Sequence, residues 1–456
     1  MNMGEKAPCT SGFLPHSAKG GNTNGEGSPP VVLTDEFRRI WEAANQSYLS
    51  WSDLDGFPLP QGASKQYVWK LVTTLRRHAG FALPFRPYVH TSDGESAWIA
   101  PTHDMERALA LLKTQGNSQT VEYQTFAALP LSRKATIMID DIGAALTIDG
   151  YHVDASEGLS AYLARIPPQT PERVAMFSLI EQFLEPIVAA PDPITPVYLD
   201  SLNGLISAAP PSVGLGASQP VLAHIEQHRS RYLNLDYYTP ETVKHTICDI
   251  LNDTALHPIV AELQARYFLI ALTPYATGNA ATSLLLRKTF LEKHNLGLLA
   301  HACTLTAITA WQQGSYDLNL PSYDAALSPH DCGEGFDATE FTHYNLLVFA
   351  NELRQIRIKV ARTEANLASV RERIAGAPFL NARQKLLVSQ MAEDPFHATT
   401  IEQFAQKHDV SYSSARTDLI GLTQQGYAVC DRPESANEAL TYRTGPKTLA
   451  LFRRDA

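Results

Sequence analysis

The residues best placed for chemistry lie at 273–284, Thr-Pro-Tyr-Ala-Thr-Gly-Asn-Ala-Ala-Thr-Ser-Leu. Thr277, Gly278 and Asn279 are turn and capping types. Leu284, Leu285 and Leu286 behind them begin an apolar helical face. The spacing predicts a helix ending near Leu272, a loop, and a second helix from near Ala280. Free backbone N–H groups and the helix dipole both favour an anion at such a loop-to-helix turn. Gly278, Asn279 and Ala280 are therefore candidate contacts for an anion such as a phosphate group. The same turn serves equally well as a packing device, because the segment holds no carboxylate, histidine, lysine or arginine.

A second polar cluster lies near the end of the chain. TTIEQFAQKHDVSYSSARTDLIGLTQQGY, residues 399–427, reads helix, tight turn, helix. YAVCDRPESANEALTYRTG after it reads as two strands around a polar loop, so the order is that of a winged helix-turn-helix. Ile401, Phe404 and Ala405 are expected on the inner face of the second helix and Val410 in the turn. Leu419, Ile420 and Leu422 are expected inside the third helix. Ser411, Tyr412, Ser413, Arg416 and Thr417 then face outward, residue types suited to phosphate and base-edge contacts in a major groove. Arg432 and Arg443 fall on the wing. From 381 to 456 nine Lys or Arg meet nine Asp or Glu, whereas DNA-binding modules usually carry a basic footprint. DNA contact and protein contact both stay open for this module.

The elements that position these clusters follow from composition and periodicity. The chain has 456 residues, 44% of them hydrophobic and 18% charged, with a net charge of -10. That length allows two to four domains, and that charge gives no general attraction to nucleic acid or anionic membrane. Cys9, Cys248, Cys303, Cys332 and Cys430 are scattered and odd in number, a reduced, cytoplasmic pattern with neither a disulfide framework nor a metal site. No apolar run reaches the ~18 residues needed to span a bilayer, so no membrane role is expected. Walker, GxGxxG, GxSxG and HExxH motifs are absent.

Residues 1–33 are rich in Gly, Ser, Asn and Pro and read as a disordered leader. Order is expected from Thr34, an N-cap with Asp35 and Glu36 in the first turn. A helix with Val68, Leu71, Val72 and Leu75 on one face ends in Arg76, Arg77 and His78. Apolar residues then recur at helical steps in 103–114, 171–189, 196–207, 240–252, 257–272, 281–293, 297–312 and 339–371. HRSRYLNLDYYTP, 228–240, is a non-helical island whose alternation suggests a short hairpin or flap. NARQKLLVSQM near the end is one more helix. The fold class expected is mainly α: a helical core with a short β-hairpin flap, followed by the winged helix-turn-helix.

The segment 273–284 resembles the motif HxFx(D/E)GNGRxxR of Fic-domain proteins, with only Gly278 and Asn279 unchanged. Several flanking segments are similar to the family in the same order. They are YLSWSDLDGFPLP and WKLVTTLRR near the N-terminus, YYTPETVKHTICDIL, HPIVAELQARYFLI, SYDAAL and GFDATEFTHYNLLVFANELRQI. The resemblance covers most of 45–445. It implies 34–135 as an N-terminal helical element, 136–375 as a Fic-like core and 376–456 as the winged helix.

The family transfers AMP or a related group from a nucleotide such as ATP, with Mg2+, to a protein hydroxyl. Carried over, the motif is degenerate. Thr273 replaces the general base, Thr277 the metal-holding acid, and Ala281 and Leu284 the two arginines. Tyr275 replaces the phenylalanine and Ala280 the second glycine. General acid–base help is worth about 10²–10⁴ and one preorganised electrostatic donor about 10²–10³, so little adenylyltransferase activity is expected. IMIDDIGAALTIDGYHVD resembles the family's inhibitory helix, with Ala145, Asp149 and Gly150 in place of (S/T)xxxE(G/N). Its acid is expected to have no arginine to pair with. The resemblance further implies that the flap 229–238 docks an extended protein partner. Three functions follow: a bacterial-type pseudoenzyme acting as binding scaffold or regulator, a DNA-binding transcriptional regulator, and a residual adenylyltransferase.

Overall fold

The computed structural model describes residues 31–84, 96–184, 189–206, 239–312, 337–431 and 439–451. The flap, Arg432, SYDAAL and the leader up to residue 30 lie outside them. Val31–Leu33 form a single 3-10 turn whose carbonyl at Val31 accepts from Thr34, so these three residues, expected in the disordered leader, are placed in a turn.

Helices dominate. The first two are α1 (Asp35–Gln46), capped by Thr34, and α2 (Lys65–Ala79), capped by Ser64. Phe37, Ile40, Val68, Trp69 and Val72 of these helices bury one another in a separate apolar cluster. Two short antiparallel strands, β1 (Phe81–Ala82) and β2 (Trp98–Ile99), lead away from it.

The main cluster is built by α3 (His103–Gln115), α4 (Val121–Ala128), α5 (Leu131–Ile148), α6 (Ala155–Leu163), α7 (Pro171–Leu184), α8 (Pro196–Gly204), α9 (Pro240–Asn252), α10 (Pro258–Leu272) and α11 (Asn279–Lys293). Short α12 (Gly297–Ala300), α13 (Thr306–Gln312) and the long α14 (Thr339–Ala375) complete it. α10 and α11 are buried on nearly every side. That explains their continuous apolar sequences, since a central helix has no solvent face to make polar.

The helix expected over 297–312 is two helices with a break at 301–305. Asp141 of α5 accepts hydrogen bonds from the Leu305 and Thr306 amides at 2.7 and 3.3 Å. A buried carboxylate there starts a new helix, and the break turns Thr304 toward two buried arginines.

The last unit has its own cluster, to which Val370 and Ile374 at the end of α14 contribute. It consists of α15 (Ala382–Glu393), β3 (Ala398–Thr400), α16 (Ile401–His408), α17 (Tyr412–Gln424), β4 (Ala428–Asp431), β5 (Thr441–Thr444) and α18 (Pro446–Ala450). The strands form one antiparallel sheet in the order β3-β5-β4, with Arg443 opposite both Ala398 and Val429. β3 was not expected; three residues are too few to show alternation. Ile401, Phe404, Leu419 and Leu422 are buried as expected. Ile420 is not: it is 37% exposed, and Asp418 takes an inward place, held by Arg383 and Asn381.

Candidate functional site

The loop 273–279 joins the two most buried helices. α10 closes at Thr273, which adopts a left-handed conformation, φ 41°. Asn279 then ties the loop to itself: its amide donates to the Tyr275 carbonyl at 2.9 Å and its Oδ1 accepts the Tyr275 N–H at 3.0 Å. Gly278 sits at φ 77°, and a Cβ there would lie 3.2 Å from Asn203 Nδ2, so glycine is required on two counts. Asn203 of α8 donates to the Thr277 carbonyl and to Thr282 Oγ1, both at 3.0 Å. The Tyr275 hydroxyl donates to Asp200 at 3.0 Å, and Lys244 of α9 also reaches Asp200. Burial and Asp200 together push the Tyr275 phenol well above its usual range.

The decisive contact comes from α5. Asp149 follows its last residue, and its two carboxylate oxygens accept the Ala280 and Ala281 N–H groups at 2.8 and 2.9 Å. Those belong to the first turn of α11, among the amides with no partner inside the helix, where an anion would bind. Local sequence fixes the delivery. Gly150 takes φ 93°, its N–H reaches the Thr147 carbonyl, and the Tyr151 N–H reaches Leu146. This is a Schellman ending, open to few residues but glycine. The Ala145 carbonyl accepts the Asp149 N–H, while its methyl is in the core. Although Asp149 as a residue is only half-buried, its carboxyl group is enclosed; burial pushes its pKa up to about 7 against the lowering effect of the amides. The acid expected to be idle is thus the cap of α11.

The motif positions are brought together around this turn. Ala281 and Leu284 are fully buried among apolar neighbours, and Thr277 contributes a carbonyl to Asn203. Among the described residues no group of three or more His, Cys, Asp or Glu side chains could hold a metal ion. No helix among them is long and apolar enough to cross a membrane.

Sequence reasoning missed a buried ionic network behind the loop. Arg287 of α11 pairs with Asp141 at 2.5 Å, both at most 1% exposed. Thr304 Oγ1 receives Arg287 at 2.6 Å and Arg266 at 2.5 Å, and Arg266 also reaches Asn345 at 3.1 Å. Glu262, 3.8 Å from Arg266, has no hydrogen bond to either oxygen, and burial raises its pKa. The signal was present: Asp141, Arg266 and Arg287 are charged residues set within apolar stretches, IMIDDIG, QARYFLIAL and LLLRKTFL.

In the C-terminal unit Ser411 caps α17 through the Ser414 amide, and Thr417 bonds back to Ser413. Ser411, Tyr412, Ser413, Arg416 and Thr417 are exposed together. Arg443 is half-buried and paired with Asp431 at 2.8 Å, which removes it from the free cations of this face.

No family model matches the chain, and no curated protein does. A solved structure described as a Fic family protein from Desulfovibrio desulfuricans G20 overlaps 79% of this chain and 98% of its own, at 17% identity and a TM-score of 0.42.

Proposed function

We propose that this chain is a Fic-like protein that has given up nucleotide transfer and acts by binding, as a scaffold or regulator. One observation carries the reading: the Ala280 and Ala281 amides are held by the chain's own Asp149. ATP with Mg2+ does not fit these residues. A phosphate would have to displace a buried carboxylate, and Ala281, Leu284 and Thr277 supply neither the positive charge nor the carboxylate needed to replace water around it. Residual adenylyl transfer is therefore the least supported alternative. Titration of ATP and Mg2+ into the purified chain is expected to give no saturable binding. Saturable binding that weakens when Gly278 is replaced by valine would overturn the reading.

The partner-binding element on this reading is the C-terminal unit, a winged helix-turn-helix, together with the flap 229–238 or self-association. A DNA-binding regulator is the second reading, favoured by the joint exposure of Tyr412, Ser413, Arg416 and Thr417 along α17. A contact made through phosphates weakens steeply with salt. DNA affinity that falls with salt and is lost in Arg416→Ala supports it; affinity indifferent to both removes it.

A further inference from the structure

α5 and α6 form one tightly packed hairpin. A Cβ added at Gly143 of α5 would lie 2.9 Å from the Ala155 Cβ of α6. The turn between them carries Asp149 on α11 at one end and Asp154, which caps α6 through the Glu157 amide at 2.9 Å, at the other. Tyr151 is buried in the middle of the turn.

The same hairpin also holds the C-terminal unit. Arg133, in the first turn of α5, donates to the carbonyls of Ala392 and Glu393 at the end of α15. Arg165, just past α6, donates to the Phe396 carbonyl at 2.7 Å and lies 5.2 Å above the Phe396 ring. Tyr162 of α6 meets that ring edge-on at 5.3 Å and meets Phe177 of α7 at 5.2 Å. Phe396 thereby packs against the main cluster although its chain belongs to the C-terminal unit. Cations at the negative end of α15 and an aromatic plug beside it make a specific seat.

We propose that the α5–α6 hairpin couples the two joints: release of Asp149 from α11 unseats Phe396, and unseating Phe396 loosens Asp149. The physical reason is stiffness. About 24 Å of helix separate Arg133 from Asp149, and a close-packed helix pair moves as a body instead of bending. The two bonds from Asp149 tie the 149–154 turn to the Ala280 and Ala281 amides, and that turn leads directly into α6. The seat of the C-terminal unit therefore reports the state of the loop 273–279, whatever that unit binds.

Coupling between two sites must be the same in both directions. Hydrogen exchange measured by mass spectrometry on the full chain tests this. Asp149→Ala is expected to speed exchange across 389–398 by about tenfold, and Phe396→Ala to speed exchange across 279–284 by about the same factor. Phe396→Ala removes a half-buried side chain, so it gives the answer even where Asp149→Ala does not fold. Leu386→Ala, on the outer face of α15, is expected to leave 279–284 unchanged. The coupling is overturned when each substitution affects only its own surroundings, or when all peptides, including those of α1 and α2, speed up alike.

Discussion

Asp149→Asn separates two things the carboxylate does at the α11 N-terminus. It satisfies two amides, at 2.8 and 2.9 Å, and it titrates. Burial moves its pKa from the usual 3.8 to about 7. The folded state therefore keeps a proton that the unfolded chain has lost between those values. The stability this group contributes is complete below pH 3.8 and disappears as pH rises through 7. Between pH 5.5 and 8.5 the loss amounts to about 2 kcal/mol. Asparagine does not titrate and offers one acceptor to two amides, which costs about 1–3 kcal/mol through the unsatisfied N–H. The histidines pushed down by burial, His301 to about 3 among them, affect wild type and variant equally. Urea unfolding at pH 5.5, 7.0 and 8.5 is therefore expected to show the wild type clearly more stable at the lowest pH, with the gap shrinking by about 2 kcal/mol at the highest. Parallel pH profiles would refute the reasoning, because they would mean that Asp149 is not enclosed.

Other substitutions test the surrounding frame. Asp141→Leu leaves Arg287 buried without its 2.5 Å partner and is expected to cost about 3–5 kcal/mol; an unchanged urea midpoint would contradict the network. Gly278→Ala meets both a φ of 77° and Asn203 at 3.2 Å, and is expected to lower stability by about 1–2 kcal/mol in the same assay. Glu340 and Glu352 add to Asp149, since burial raises their pKa values to about 8 and about 7. The thermal midpoint is therefore expected to fall from about pH 7.5, above the range where a histidine released by unfolding titrates, to pH 8.5, and a rise over that range would show that other groups dominate.

Helices with clear caps were legible from the sequence. Thr34 caps the helix it was expected to start, and the helix expected from NARQKLLVSQM begins behind its own Asn381 cap, because a cap is a local interaction. The loop 273–279 and its glycine were legible for the same reason. What local reasoning could not supply was the partner of each buried polar group. Nothing in IMIDDIG says that Asp141 will start a helix more than 160 residues away, and nothing in LTIDGY says that Asp149 will cap α11. Ile420 was misplaced because periodicity alone cannot tell an inward isoleucine from an inward aspartate that is held by Arg383 and Asn381.

On the function proposed above, the α11 N-terminus holds the chain's own carboxylate and does no nucleotide chemistry. Incubating the purified full chain with ATP labelled on the α-phosphate and Mg2+, then counting label that stays covalently attached after denaturation, tests it most directly. No time-dependent labelling is expected in the wild type or in Asp149→Ala, since removing the cap restores neither a base nor an arginine. Steady labelling of the wild type that stops on substitution of Thr273 or Asn279 would contradict it.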